Sequence, residues 1–267
     1  MIIFFINSPA LIIFILACFN IAISSDTVIK AHSHNDYENE APLYAALDQK
    51  IKSIEVDVFL SKSNLYVGHH WLALNKDRTI EKMYLKPLWK IYLDNKSIYG
   101  NSTLYLLVDI KTTAIKTYKL LEDILNKYKP MLTHVSLDSL YIGPVTIILS
   151  GNRPPINHFD DYQYRNVFID GRINDIGRKI SSKIMPLISS DWRDSFEWDG
   201  KGIISENEKK ILHELVIKVH NEKKEIRFWG SPDNKNTWEA LLSAGVDLIN
   251  TDNIEECRNF IIQQGKY

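Results

Sequence analysis

The sequence predicts a single α/β domain built as a closed (β/α)8 TIM barrel. Three observations predict it. Eight short runs are rich in β-branched and bulky apolar residues, helix-like segments separate several of them, and 267 residues is the length of one such barrel. The runs are "TVIKAH" (27–32), "SIEVDV" (53–58), "LYLLVDI" (104–110), "VTIILS" (145–150), "NVFID" (166–170), "IMPLIS" (184–189), "EIRFW" (225–229) and "VDLIN" (246–250). An open doubly wound sheet would use the same units, but eight of them favour closure.

Taken in order, the first run leads through "AHSHNDYEN" into "APLYAALDQK" (41–50), whose apolar spacing is helical. The second alternates apolar Ile54, Val56 and Val58 with Glu55 and Asp57, so its two carboxylates share one face. "LYVGHH" (65–70) reads as a short extra strand. The third run ends in "VDIK" and precedes a helical pattern over 114–129. Residues 131–144 carry no readable period. Three runs then follow in close succession before a long helical pattern over 206–224. After "EIRFW" comes a last helix over 234–245, with Gly245 as its stop, and then "VDLIN".

Asp and Glu (33) nearly balance Lys and Arg (32), for a net charge of −1. This excludes nucleic-acid binding driven by bulk charge and leaves room for a local basic pocket. No charged side chain precedes Asp26, and the apolar run Ala10 to Phe19 has the length of a signal-peptide core, short for a membrane span. The expectation is a signal over 1–25, cleaved near Ser24 or Ser25 or processed as a lipoprotein at Cys18, and a barrel domain over 26–267 outside the cytoplasm. An uncleaved anchor is the third option. Either processed form leaves Cys257 as the only cysteine of the folded part, so no intrachain disulfide forms.

In a barrel the reactive groups lie at the C-terminal ends of the strands. The first strand ends in His32 and His34, the second carries Glu55 and Asp57, "VGHH" adds His69 and His70, and the third ends in Asp109 and Lys111. Like charges placed this close raise each other's pKa or take a cation between them. Glu55, Asp57 and Asp109 make a hard, all-oxygen set suited to Mg²⁺ or Ca²⁺. The competing readings are an ion-pair network with Arg or Lys and a glycosidase carboxylate pair, although such pairs normally come from different strands. His32, nearer the strand, is the preferred catalyst over His34, and His70 reads as a packing neighbour of His69.

At these residues a family resemblance appears. "AHSHNDYEN…PLYAALDQKIKSIEVDVFL…LYVGHH…LLVDIK…GVDLINTD" resembles the glycerophosphodiester phosphodiesterases and the wider phosphatidylinositol-phospholipase-C-like superfamily. The "HSHNDY" opening and "LSGNRP" (149–154) resemble the branch of altered-inheritance-of-mitochondria protein six. The resemblance runs from Lys30 to about Asp252 and implies Glu55, Asp57 and Asp109 as metal ligands, with His32 and His69 as the acid–base pair. The chain departs from it twice. The usual "HRG" is His32-Ser33-His34, which removes a phosphate-binding arginine, and His70 stands where an aspartate is common. Lys111, Arg153 or Arg172 would then supply the phosphate contact, since a guanidinium fork or an ammonium suits a phosphodiester. Trp229, with Trp192 and Trp198, would wall the pocket against a lipid or alcohol portion. The partner implied is a small-molecule or lipid phosphodiester, reached in solution or at a membrane surface.

Overall fold

The computed structural model describes residues 27–159 and 162–265; the signal expected over 1–25 lies outside these residues. Eight parallel strands build the barrel wall: β1 (Ile29–Ser33), β2 (Ile51–Ser61), β3 (Leu104–Ile110), β4 (Val145–Gly151), β5 (Val167–Gly171), β6 (Leu187–Asp191), β7 (Glu225–Trp229) and β8 (Ile249–Thr251). Their order around the wall is β7-β6-β5-β4-β3-β2-β1-β8. The seam between β7 and β8 is joined by a parallel bridge from Arg227 to Leu248, so the barrel is nearly closed. Each run read from the sequence is a barrel strand, shifted by up to three residues.

Six α-helices cover the outside: α1 (Tyr44–Asp48), α2 (Lys86–Asn95), α3 (Ala114–Leu125), α4 (Glu206–Asn221), α5 (Lys235–Ala244) and α6 (Ile254–Gln263). Among the described residues, the helical turns in the crossovers after β4 and β5 are of the 3₁₀ kind, Ile156–Phe159 and Ile173–Asp175. Helix ends follow local chemistry. Ser205 accepts from the Glu208 amide at the start of α4, and Gly245 closes α5 with φ 87°, in the left-handed region where glycine carries no steric penalty. The short strand Asn64–Val67 pairs antiparallel with β2. The stretch without a readable period holds a hairpin, His134–Ser136 and Ser139–Tyr141, which pairs with Tyr164–Arg165. Among the described residues no helix is long and apolar enough to cross a membrane.

Period-2 alternation divides every strand between two environments. Ile54, Val56 and Val58 of β2 join the large apolar layer between wall and helices, while Ser53, Glu55 and Asp57 turn inward. Inside, Leu107, Ile148, Phe168, Leu187 and Leu248 fill one level with apolar side chains. Two residues further along β3 and β4, toward the C-terminal ends, stand Asp109 and Ser150, in register with each other and with Asp57. The interior therefore changes from apolar to ionisable within one strand repeat.

Candidate active site

The carboxylates of Glu55, Asp57 and Asp109 converge, each offering one oxygen within 4.8 Å of the others. Oδ1 of Asp57 and Oδ1 of Asp109 are buried and accept no hydrogen bond. Buried oxygens without donors are costly, and hard oxygens in this arrangement fit a divalent cation of the Mg²⁺ or Ca²⁺ kind. Lys111 Nζ bridges the other two oxygens, 3.1 Å from Asp57 Oδ2 and 2.9 Å from Asp109 Oδ2. Burial, reinforced by Glu55 and Asp109 and opposed by Lys111, pushes the Asp57 carboxyl up to about 7. The cage leaves no room for a side chain at Gly151, where a Cβ would lie 1.8 Å from Asp109 Oδ1.

Behind the cage lies a buried polar network. His32 is 0 % exposed, with Nδ1 2.7 Å from Ser53 Oγ and Nε2 2.8 Å from Glu55 Oε2. Arg227, only 3 % exposed, reaches across from β7. Its Nη1 donates to His32 Nε2, to Glu55 Oε2 at 3.1 Å and to Asn250 Oδ1 at 3.2 Å, and its Nε donates to Ser189 Oγ at 3.2 Å. A guanidinium offers only N–H groups and a carboxylate only lone pairs, so Nε2 of neutral His32 either accepts from Arg227 or donates to Glu55. Burial and then Arg227 lower the His32 pKa to about 4. Burial alone would raise that of Glu55, but Arg227 and His32 outweigh it and hold the group ionised.

His69 stands at the mouth, its side chain 48 % exposed, with Nδ1 3.7 Å from Asp57 Oδ2. His70 packs edge-on against it. His34 turns to Asp252, with Nδ1 2.7 Å from Oδ1. Burial would lower the His34 pKa, but Asp252 and Glu55 reverse the shift and raise it. The loop between β1 and α1 that carries His34 is pinned by Asp36. This wholly buried carboxylate accepts from Ser33 Oγ, Tyr84 Oη, Asn39 Nδ2 and the Leu43 amide.

The structure thus brings together His32, Glu55, Asp57, Asp109, Lys111 and His69. Arg172 and Arg153 stand along the wall. Arg172 Nη1 donates to Asp170 Oδ2 at 2.8 Å and Nη2 to Ser150 Oγ at 3.2 Å, while burial and Arg172 together lower the pKa of Arg153. Trp229 lies under the Arg193 guanidinium, and Trp192 is buried against Phe196, so Trp192 is core. Sequence reasoning did not single out Arg227, Ser53, Tyr37 or Asp252. The signal for Arg227 was present, as an arginine at an inward position of an apolar strand needs an acid beside it. A surface groove of about 460 Å³ lies elsewhere, between α4, α5 and the loop of Trp198 and Ile203. It takes no residue from the barrel mouth, so the convergent ionisable groups, rather than volume, mark the site.

Comparison with known proteins agrees with this geometry. Residues 22–99 match the AIM6-like phosphodiesterase domain, and residues 225–255 match the glycerophosphoryl diester phosphodiesterase family. The altered inheritance of mitochondria protein 6 homolog of Arthroderma benhamiae is 26% identical over 264 residues, covering 87% of this chain and 83% of that protein. The protein of that name from Saccharomyces cerevisiae is 29% identical over 276 residues, covering 84% of this chain and 68% of its own length. Among solved structures, a calcium-dependent phosphoinositol-specific phospholipase C from a Pseudomonas species has a TM-score of 0.58 at 13% identity, covering 86% of this chain and 90% of that one. A glycerophosphodiester phosphodiesterase from Parabacteroides distasonis has a TM-score of 0.53 at 13% identity, covering 88% of this chain and 96% of that one. The chain is therefore a relative of altered inheritance of mitochondria protein 6, with the barrel fold of the glycerophosphodiester phosphodiesterases and phosphatidylinositol-specific phospholipases C.

Proposed function

We propose that the protein is a divalent-metal-dependent phosphodiester hydrolase acting on a glycerophosphodiester or phospholipid-type substrate. One observation carries the reading: three carboxylates converge at the C-terminal end of a barrel, two of their oxygens lack donors, and a histidine stands on either side. Glu55, Asp57 and Asp109 would hold the cation. When bound, such a cation supplies polarisation of a phosphoryl oxygen and neutralises charge in the transition state.

The residues of the chain do the rest. Lys111, anchored between Asp57 and Asp109, presents an ammonium beside the cage for a phosphate oxygen. His32, its Nδ1 fixed by Ser53, would take the proton of the attacking oxygen, which belongs to water or to a neighbouring substrate hydroxyl, at Nε2, the nitrogen that at rest faces Glu55 and Arg227. As that oxygen bonds to phosphorus, the bond from phosphorus to the leaving alcohol breaks. His69 then gives its proton to the departing oxygen.

Hydrolysis of bis-(p-nitrophenyl) phosphate tests the reading. Turnover should require added Mg²⁺ or Ca²⁺, and His32→Ala and His69→Ala should each lose about 10²–10⁴ in rate, the range for general acid–base catalysis. Glycerophosphoinositol set against phosphatidylinositol vesicles then separates a soluble diester from a lipid substrate. Metal-independent turnover, or none on any diester, would sink the proposal.

A further inference from the structure

We propose that Tyr37 is a positioning residue that ties His69 to the carboxylate cage and confines the proton exchange of His69 to Nε2. Tyr37 is 2 % exposed, and its hydroxyl sits where three parts of the chain meet. Oη lies 2.8 Å from Asp57 Oδ2 on β2, 2.9 Å from Asn35 Oδ1 in the loop after β1, and 3.2 Å from His69 Nδ1 in the loop beyond β2. A phenol has one proton to give, so these partners cannot all receive it.

Asp57 takes it. A carboxylate is a stronger acceptor than the amide oxygen of Asn35, and it is the nearest of the three. The phenolic oxygen is then left to accept, and the group facing it is His69 Nδ1, which must be the N–H. His69 Nδ1 and Asp57 Oδ2 are 3.7 Å apart, beyond direct hydrogen bonding, so the hydroxyl links them. With Nδ1–H committed to Tyr37, Nε2 is the ring nitrogen left free to exchange a proton with substrate. Because the same hydroxyl holds Asp57, placement of the histidine and of a cage ligand share one hydrogen-bonded relay, as carboxylates and histidines around metal sites are commonly oriented by outer partners. The inference rests on the reading of His69 as a proton-transfer group, and its test does not need turnover.

Long-range ¹H–¹⁵N spectra of histidine-labelled protein, with the His69 signals assigned through His69→Gln, read the tautomer directly at alkaline pH. Wild type should show a protonated Nδ1 and a bare Nε2. Tyr37→Phe keeps the ring and removes the oxygen. His69 should then shift toward the Nε2–H form, kcat on bis-(p-nitrophenyl) phosphate should fall about 10–100-fold with KM unchanged, and Mg²⁺ affinity should weaken alongside. A bare Nδ1 in wild type overturns the proposal, and this spectrum decides the matter even if Tyr37→Phe does not fold. An unchanged tautomer and kcat in a folded Tyr37→Phe overturn it as well. Absence of hydrolysis in wild type would instead remove the phosphodiesterase reading and leave the tautomer to be judged by the spectrum.

Discussion

At the scale of single residues, the histidines differ in how the fold treats them. His32 is enclosed and neutral, whereas His34 is paired at the mouth with a carboxylate 218 positions away in sequence. Asp252 is itself held in place, its amide donating to Asp233 Oδ2 at 2.8 Å. The raised His34 pKa has a consequence for stability. A histidine whose folded pKa lies above its unfolded value of about 6.5 contributes stability that is fully present below that value and is lost as pH rises through the folded pKa. The melting temperature of wild type should therefore exceed that of Asp252→Asn at pH 5.5, and the gap should close as pH passes above the ordinary histidine value. A gap that stays constant with pH would show that the pair does not couple protonation to folding. Glu55 and Asp57 were legible as a same-face pair because strand alternation is a strict rule. Tyr37 and Asp252 were not, because their importance lies in partners on distant strands and loops.

At the scale of elements, all eight barrel strands could be read, since strands covered on both faces leave continuous apolar runs. The coverings were harder. Helix α2 follows a π-helical turn, Glu81–Leu85, and begins with Pro87 in its first turn, so its period is interrupted where a reader would seek it. Among the described residues, the crossovers after β4 and β5 have no α-helix to find. What such connections do is nevertheless testable at β4. Gly151 ends that strand with φ 63°, and its backbone passes directly beside the third cage carboxylate. Gly151→Ala should destabilise by about 1–3 kcal/mol, the usual range for a strained backbone position, and should push Asp109 out of the cage. Gly177→Ala gives the comparison, because Gly177 also has positive φ (84°) but a Cβ there would meet nothing within 4 Å. Both variants should lose stability, but only Gly151→Ala should lose metal-dependent stabilisation in thermal melts. Matching losses of metal response at both glycines would show that the approach to Asp109 is irrelevant.

At the scale of the whole molecule, the cage is a device for joining strands as well as for chemistry. Its carboxylates come from the paired strands β2 and β3, and the network behind it runs through β1, β6, β7 and β8 by way of His32, Ser189, Arg227 and Asn250. A ligand that binds only when these strands are assembled stabilises the entire barrel by mass action. At a cation concentration of about 100 times Kd the gain is about 2.7 kcal/mol, and a domain of this size gains about 2–4 °C per kcal/mol. Wild-type melting temperature should therefore rise by about 5–10 °C with saturating Mg²⁺ or Ca²⁺. Glu55→Gln and Asp57→Asn should both lose most of that rise; without metal, Asp57→Asn should melt no lower than wild type, because burial disfavours its charge, whereas Glu55→Gln leaves the buried Arg227 guanidinium unpaired and should melt lower. The second half of the expectation separates a cation cage from an internal ion-pair network. If Lys111 were the intended partner of Asp57, neutralising that acid would leave the ammonium unpaired and lower the metal-free melting temperature of Asp57→Asn as well, as breaking a buried pair does. Equal metal responses in wild type and both variants would place the cation elsewhere on the molecule.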